Sequence, residues 1–170
     1  MVLLAFVVLQ ASCEHSKAPL ALPDAPRFSS SAGGEAQSTI AFVSNRDGPV
    51  NIYLMNDDGT GVTRFNDNAN DAEPTWSPTC QQLAFQSNRD GPYNIYVMNA
   101  DGTGVTRLTN TLAFDSDPAW SPNGQNGNQI AFASTRDGNN NVYVMNADGT
   151  GVTRLTDNIA VDGEAAWTRH

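Results

Sequence analysis

Charged side chains recur at fixed places along the chain, and binding chemistry could be assembled from them. An arginine followed directly by an aspartate occurs three times, and a further aspartate stands five residues before each tryptophan. Guanidinium and carboxylate groups form strong, directional ion pairs, within a fold or with a partner. The candidate binding residues are Arg46, Asp47, Asp71, Arg89, Asp90, Asp115, Arg136, Asp137 and Asp162.

Catalytic and metal chemistry has less to build on. The two histidines, His15 and His170, lie in the terminal regions, so the sequence predicts neither a Ser-His-Asp unit nor a histidine-based zinc site. Asp115 and Asp117 could act as a carboxylate pair, but solvated loop acids are commoner. The Asp-Gly turns lack a calcium loop's first ligand, since Val97 occupies that position in one copy. We predict a non-enzyme without cofactor or metal.

The acidic net charge of the chain makes some classes of binding partner unfavourable. The 170 residues carry a formal net charge of −9, from 9 Lys and Arg against 18 Asp and Glu. Nucleic acids and anionic membrane surfaces attract basic proteins, so we predict that this chain binds neither directly. The two cysteines, Cys13 and Cys80, stand far apart in unlike contexts, so we expect neither a disulfide framework nor a cysteine-based zinc site, and an unpartnered thiol at Cys80.

Three sequence repeats must position the charged residues. An apolar-Ala-Phe segment begins at residues 40, 83 and 130, close to the ~40–45-residue period of four-stranded propeller blades. Each repeat is predicted to hold four short strands. The first strand ends at the tryptophan, the second is the Ala-Phe segment, the third follows the Arg-Asp-Gly loop, and the fourth follows an Asp-Gly turn.

Both faces of the predicted sheets are apolar. In the third strand of the first repeat, Ile52 and Leu54 point to one side, and Tyr53 and Met55 point to the other. A sheet with one wet face would alternate polar and apolar residues. The pattern therefore predicts small sheets stacked face to face.

The repeated motifs resemble a known family. Pro-x-Trp-Ser-Pro, Ile-Ala-Phe-x-Ser-x-Arg-Asp-Gly, Ile-Tyr-Val-Met-Asn-x-Asp-Gly and Arg-Leu-Thr follow one another over residues 39–167. This order resembles the TolB-type β-propeller repeat, a relative of WD repeats. The resemblance implies an all-β propeller of three four-stranded blades over residues 39–170. It also implies a periplasmic or surface binding module, or a non-catalytic domain beside a peptidase.

The N-terminal segment is typical of export. Residues 2–9 are an unbroken apolar run, too short to span a bilayer and about as long as the core of a signal peptide. The following residues, Gln10 to Cys13, resemble a bacterial lipobox, so we predict a signal over residues 1–13 with lipidation at Cys13. An ordinary secretory signal and an apolar tail with a free thiol are the alternatives. Residues 14–38, rich in Ser, Ala and Pro, are predicted to be a disordered tether.

These features together predict an envelope-tethered binding or scaffold module for protein–protein interaction. We expect the protein in the bacterial periplasm or cell envelope or, if it is not lipidated, secreted. Its partners would be other envelope proteins, and it would contact the membrane only through the lipid. The alternative is a non-catalytic propeller fragment of a larger hydrolase or peptidase.

The loops that follow the second and fourth strands should share one end of each blade, because the strands alternate in direction. The candidate binding residues therefore lie at one end. The competing interpretation is that residues found in every repeat build the repeat, with Asp71, Asp115 and Asp162 pairing with arginines or loop amides. Residues that differ between repeats, such as Phe114 and residues 139–141, should then discriminate partners better.

Three blades are too few for a ring, since known propellers have ~4–8 blades. The first repeat also lacks its tryptophan strand, whereas residues 165–167 supply a spare one. One explanation is a homodimer in which each spare strand completes the other chain's first blade, forming a six-bladed ring. A second is a gene fragment whose other blades lie upstream or downstream, and a third is an open three-bladed monomer.

Overall fold

The computed structural model describes residues 38–65, 70–122 and 128–168, and this part of the chain contains strands and turns but no helix. It therefore holds no helix long and apolar enough to cross a membrane. The predicted signal, with Cys13, and the tether up to residue 37 lie outside the described residues. The strands are β1 (Thr39–Ser44), β2 (Asn51–Asn56), β3 (Thr63–Arg64), β4 (Asp71–Trp76), β5 (Gln82–Ser87), β6 (Asn94–Asn99), β7 (Thr106–Arg107), β8 (Asp115–Trp120), β9 (Gln129–Ser134), β10 (Asn141–Asn146) and β11 (Thr153–Arg154).

The strands form three antiparallel sheets in chain order, β1-β2-β3, β4-β5-β6-β7 and β8-β9-β10-β11, which we call the first, second and third blades. The prediction of an all-β fold of successive blades is confirmed. The second and third blades have four strands. Among the described residues the first blade has three, without the tryptophan strand that the repeat pattern also fails to supply there.

Neighbouring blades pack through two unlike faces. A large face of one blade, with Trp76, Phe85 and Met98 in the second, meets a small face of the preceding blade, with Ala41 and Ile52 in the first. The same arrangement joins the small face of the second blade to the large face of the third. These side chains are almost completely buried. Both faces of a strand are apolar because a blade can be covered by one neighbouring blade on each side.

The tryptophan strands lie at the inner edge of the stack, where β4 and β8 contact each other. The two-residue strands β3, β7 and β11 lie at the outer edge and contact only the adjoining strand of their own blade. Each inner strand carries a bulge, between Ala72 and Thr75 in β4 and between Ser116 and Ala119 in β8. Glu73 and Asp117 occupy these bulges with positive φ angles of 51° and 52°, a conformation that L-residues adopt at a cost.

The Asp-Gly turns between the third and fourth strands are closed from within. In the first blade the backbone N–H and the hydroxyl of Thr60 both donate to Asp58 Oδ1, at 2.8 and 2.6 Å. These hydrogen bonds, first from the hydroxyl and then from the N–H, hold the pKa of the Asp58 carboxyl below its usual value. Asp101 and Asp148 have the same contacts and the same direction of shift. The turn aspartates are therefore explained as hairpin residues.

The turn after β4 corrects the expectation for Cys80. Its positive φ of 58° matches the glycine-like turn position predicted from the sequence. However, Cys80 is disulfide-bonded, so the prediction of an unpartnered thiol was wrong. The sequence comparison of the two cysteines failed because unlike local contexts say nothing about distance in space.

Candidate functional site

Two sets of loops meet at one end of the blades, which we call the loop end. It consists of the loops at 45–50, 88–93 and 135–140 and those at 108–114 and 155–161. Phe114 and Thr135 exchange hydrogen bonds across the two sets, from Thr135 N–H to Phe114 O and from Phe114 N–H to Thr135 Oγ1, both at 3.0 Å. Asn139 likewise donates to Asn158 O, at 2.8 Å. The candidate binding residues thus share one end, as the strand directions predicted.

Each arginine of the Arg-Asp loops is stacked onto its own hairpin. In the second blade the Arg89 guanidinium lies over the rings of Phe85 and Tyr96, at 5.2 and 4.9 Å from their centroids. Its backbone N–H and Nε both donate to Ser87 Oγ. Arg46 and Arg136 repeat this geometry. The rings cover the face of the guanidinium, and the serine accepts from Nε. The edge that carries the Nη atoms is left, and in the second and third blades it points to the tryptophan strand.

The aspartates that begin β4 and β8 occupy that free edge. Arg89 Nη2 lies 2.8 Å from Asp71 Oδ2, and Arg136 Nη2 lies 3.0 Å from Asp115 Oδ1. Both carboxylates are completely buried. Asp115 also accepts hydrogen bonds from Ser134 and Thr111, so neither of its oxygens is left for acid–base work with Asp117. These pairs tie each inner strand to its blade, as the structural interpretation of the repeat expects.

The aspartates of the Arg-Asp loops accept hydrogen bonds from buried tyrosines. The Tyr96 hydroxyl donates to Asp90 Oδ2 at 2.7 Å, and Tyr143 and Tyr53 donate to Asp137 and Asp47 in the same way. Burial, and then the hydrogen bond to Asp90, raise the pKa of Tyr96 to about 12. Tyr143 has the same shift from the same causes. The loop aspartates therefore brace the hairpins while one side of each stays exposed to solvent.

Two of the candidate residues lack the oppositely charged partner that the equivalent residues have in the second and third blades. Arg46 has no aspartate beside it among the described residues and is exposed. Asp162, the equivalent of Asp71 and Asp115, lies near no arginine in the described part of the chain and accepts a hydrogen bond from Asn158 Nδ2 at 2.8 Å. A binding role for the nine charged residues stays a prediction, since the side-chain contacts described for them are internal to the chain.

Sequence reasoning missed most of the exposed apolar side chains at the loop end. Leu112 is 95% exposed and Phe114 57%, while Ile159 and Val161, at the same positions of the next repeat, are 103% and 79% exposed. Only Phe114 had been singled out. The signal was present in the repeat alignment, because both loops carry apolar residues three and one positions before the buried or half-buried aspartate.

Three acids gather near the inner edge of the blades. They are the bulge residues Glu73 and Asp117 and the corresponding Glu164, which has a positive φ of 50°. Burial, and next the negative charges of Asp117 and Glu164, raise the pKa of the Glu73 carboxyl. The described residues include no group of acids, histidines and cysteines arranged to hold a metal ion. The cluster is thus a source of electrostatic repulsion.

A model of a known family matches most of the chain. The model of the TolB β-propeller domain matches residues 18–126. The chain belongs to this family. A comparison with curated proteins finds no match.

Solved structures agree with this assignment. A protein described as TolB from Agrobacterium tumefaciens is 28% identical, with a TM-score of 0.68 over 74% of this chain and 44% of that one. TolB from Acinetobacter baumannii is 23% identical, with a TM-score of 0.61 over 71% of this chain and 30% of that one. The tricorn protease shares the fold at 15% identity, with a TM-score of 0.53 over 76% of this chain and 13% of that one. The chain spans less than half the length of each.

Replacing Asp115 separates a structural role from a binding role. Asp115→Ala should lower the free energy of unfolding by about 3 kcal/mol, because it leaves Arg136, partly buried, without its counter-charge. Asp157→Ala, which removes an exposed acid paired with Arg154, should change it little. Urea denaturation of both variants measures the difference. Equal, small losses would contradict the structural role.

Replacing Glu73 tests the acid cluster. A raised folded-state pKa means that ionised Glu73 destabilises the fold, so stability is lost as the pH rises through that pKa. Glu73→Gln should therefore raise the free energy of unfolding at pH 7. The gain should shrink on acidification and vanish below the ordinary glutamate pKa of ~4.3. Urea denaturation across this pH range provides the measurement, with Asp157→Asn as the charge-matched control that gives no gain.

Proposed function

We propose that this TolB-type propeller protein is a binding or scaffold module tethered to the bacterial envelope, where its loop end contacts another envelope protein. The observation that carries the proposal is the group of exposed apolar side chains at 112, 114, 159 and 161. Exposed apolar residues rimmed by polar ones are typical of protein interaction sites. A nucleic acid is disfavoured as the partner by the net charge of −9.

The scaffold beneath these loops is suited to recognition. The stacked arginines, the buried aspartates and the loop-to-loop hydrogen bonds hold the two loop sets in fixed positions. Loops that are already fixed lose less conformational entropy on binding. A larger part of the free energy gained by burying a few apolar side chains then appears as affinity. The charged residues therefore contribute to binding chiefly by fixing the positions of the loops that carry the exposed apolar side chains.

The periplasmic or envelope location rests on the family and on Cys80. Disulfides persist in oxidising compartments, and Cys80 is disulfide-bonded. Lipidation of Cys13 remains our proposal for the anchor. Since Cys13 and Cys80 are the two cysteines of the sequence, a lipid on Cys13 would require Cys80 to pair with a cysteine of another chain, so lipidation and a disulfide within one chain are alternatives. The mass of the N-terminal peptide from membrane-purified protein decides this point: we expect a diacylglyceryl adduct on Cys13. A cleaved peptide without Cys13, or an unmodified cysteine, would favour an ordinary secreted form.

Site-specific photocrosslinking in intact bacteria tests the loop end. We expect Leu112→p-benzoylphenylalanine and Ile159→p-benzoylphenylalanine to form an adduct with the same envelope protein, because the two loops share one surface. Val105, which is 40% exposed beyond the turn at the opposite end, is the matched control and should form no such adduct. Equal crosslinking from both ends, or none from the loops, would contradict the proposal.

The second candidate is a non-catalytic propeller segment of a larger hydrolase or peptidase. It is favoured by the short span of the chain, which covers 13% of the tricorn protease. In either case we propose that these blades bind rather than catalyse, since Asp115 is engaged in an internal ion pair and so is not free for chemistry. A second copy of the chain is a further partner that we propose, for the open faces of the first and third blades.

A further inference from the structure

The first blade has an open edge. Within the described ranges β1 pairs only with β2, whereas β5 and β9 each have an inner strand on their other side. The consequence is visible in burial. Phe85 and Ser87 are completely buried in the second blade, but the equivalent Phe42 and Ser44 are only half-buried. The first blade is therefore built to receive an inner strand.

A segment shaped like that strand follows the third blade. The Asp162 N–H donates to Asn140 O at 2.9 Å, just as the Asp71 and Asp115 amides donate to Val50 and Tyr93. Glu164 already has the positive φ of the two inner-strand bulges. Trp167 Nε1 donates to Ala119 O at 3.0 Å, which holds the segment against β8. Residues 162–164 thus have the course of an inner strand, although residues 162–167 pair with no strand among the described residues.

We propose that residues 162–167 of a second copy of this chain form the missing inner strand beside β1. The pairing follows from the two complete blades, where Asp71 faces Ser87 and Trp76 faces Leu83. By the same register Asp162 faces Ser44 of the other copy, and Trp167 faces its Ile40. The Asp162 carboxylate then meets the free edge of Arg46 and completes the ion pair that each blade otherwise has.

The blade faces are complementary in the same sense. The third blade leaves open a small face, on which Val142 and Val144 are half-buried while the equivalent Ile95 and Val97 are buried. No other strand of the described residues packs on the large face of the first blade, where Phe42 and Met55 are half-buried although Tyr53 is buried. Since small faces pack on large faces in both observed blade contacts, these two faces match each other.

A contact at the outer turns points to the same partner. Leu108 of the second blade packs on the turn of the third, where its carbonyl oxygen is 2.8 Å from the place of a Cβ on Gly149. Phe65 packs on Gly102 in the same way. The equivalent Leu155 is 57% exposed, and Gly59 has open space around it. In the two-copy assembly Leu155 of one chain covers Gly59 of the other.

A twofold axis closes the assembly. Each copy donates residues 162–167 and receives the same segment, so two equivalent junctions form and no open edge remains. Three blades from each copy make six, within the ~4–8 of known propellers. Leu112 is exposed although a blade follows it, so the equivalent Ile159 also stays exposed in the ring. The dimer is therefore an interaction additional to the proposed envelope contact, and it leaves the exposed apolar side chains of that contact uncovered.

Native mass spectrometry of the full chain, with a charge-exchange pair of variants, tests the proposal. We expect the wild type to contain two copies. Arg46→Asp and Asp162→Arg should each lower the dimer association constant at least about tenfold, because like charges then meet at both junctions. Mixing the two variants, one of them labelled with nitrogen-15, should restore dimers with one copy of each. One junction of such a dimer has the native pair and the other has the pair with charges exchanged.

Asp157→Arg makes the same charge change five residues before Asp162 and should leave the dimer intact. Circular dichroism confirms that each variant remains folded. A wild type that stays a single copy, or that forms chains longer than two, would overturn the proposal. So would single variants that dimerise as tightly as the wild type, or a mixture that shows no rescue. None of these results bears on the loop-end contact, since no envelope protein is present in the measurement.

Discussion

Each blade of this protein is a sheet of three or four short strands that is apolar on both faces, and the rest of the structure depends on that constraint. Such a sheet cannot be stable alone, because either face in water would expose a row of valine, isoleucine or aromatic side chains. Stacking covers one face with the next blade, and the pairing of a small face with a large one keeps the spacing regular. The order of blades and the unlike character of the two end faces both follow from this pairing.

The buried Asp–Arg pair solves a second problem created by the stacking. The inner strand of a blade is reached only after a loop from the preceding blade, so it needs an anchor that aligns it with the correct hairpin. Asp71 and Asp115 supply this anchor at the start of β4 and β8, where a stacked arginine and a serine hydroxyl converge. A buried charge pair contributes little net stability compared with apolar packing, but a mismatched register leaves both charges unpaired, which is costly. The pair thus specifies which strand belongs to which blade.

The repeats and the two apolar faces were sufficient to predict the blades, the missing first strand and the shared loop end. Pairing of Asp71 with an arginine was one of two interpretations, but its complete burial could not be predicted, because an acid in a polar loop looks the same in sequence at either degree of exposure. Its partner, Arg89, is 18 residues away and is identified only when the inner strand is placed. Leu112 and Ile159 were overlooked for the opposite reason, since apolar loop residues resemble core residues until exposure is known. The bulge acids, separated by whole repeats, came together only in three dimensions, and Cys80 was wrongly taken to be unpaired.

The distribution of charge explains why the two proposed contacts can coexist. Most acids in the described part of the chain are held in turns, ion pairs or tyrosine contacts, so they build the fold. The acids at the inner edge oppose the close approach of the tryptophan strands, as the raised pKa of Glu73 indicates. Packing of the apolar faces must therefore outweigh a repulsion that adds up around the stack. An open stack keeps that repulsion while leaving two apolar faces partly uncovered, whereas a closed ring gains the burial of both faces and two further Asp–Arg pairs. Arg46 of the loop end takes part in this balance, but the exposed apolar side chains of the same end, such as Leu112 and Ile159, do not and remain available for another protein.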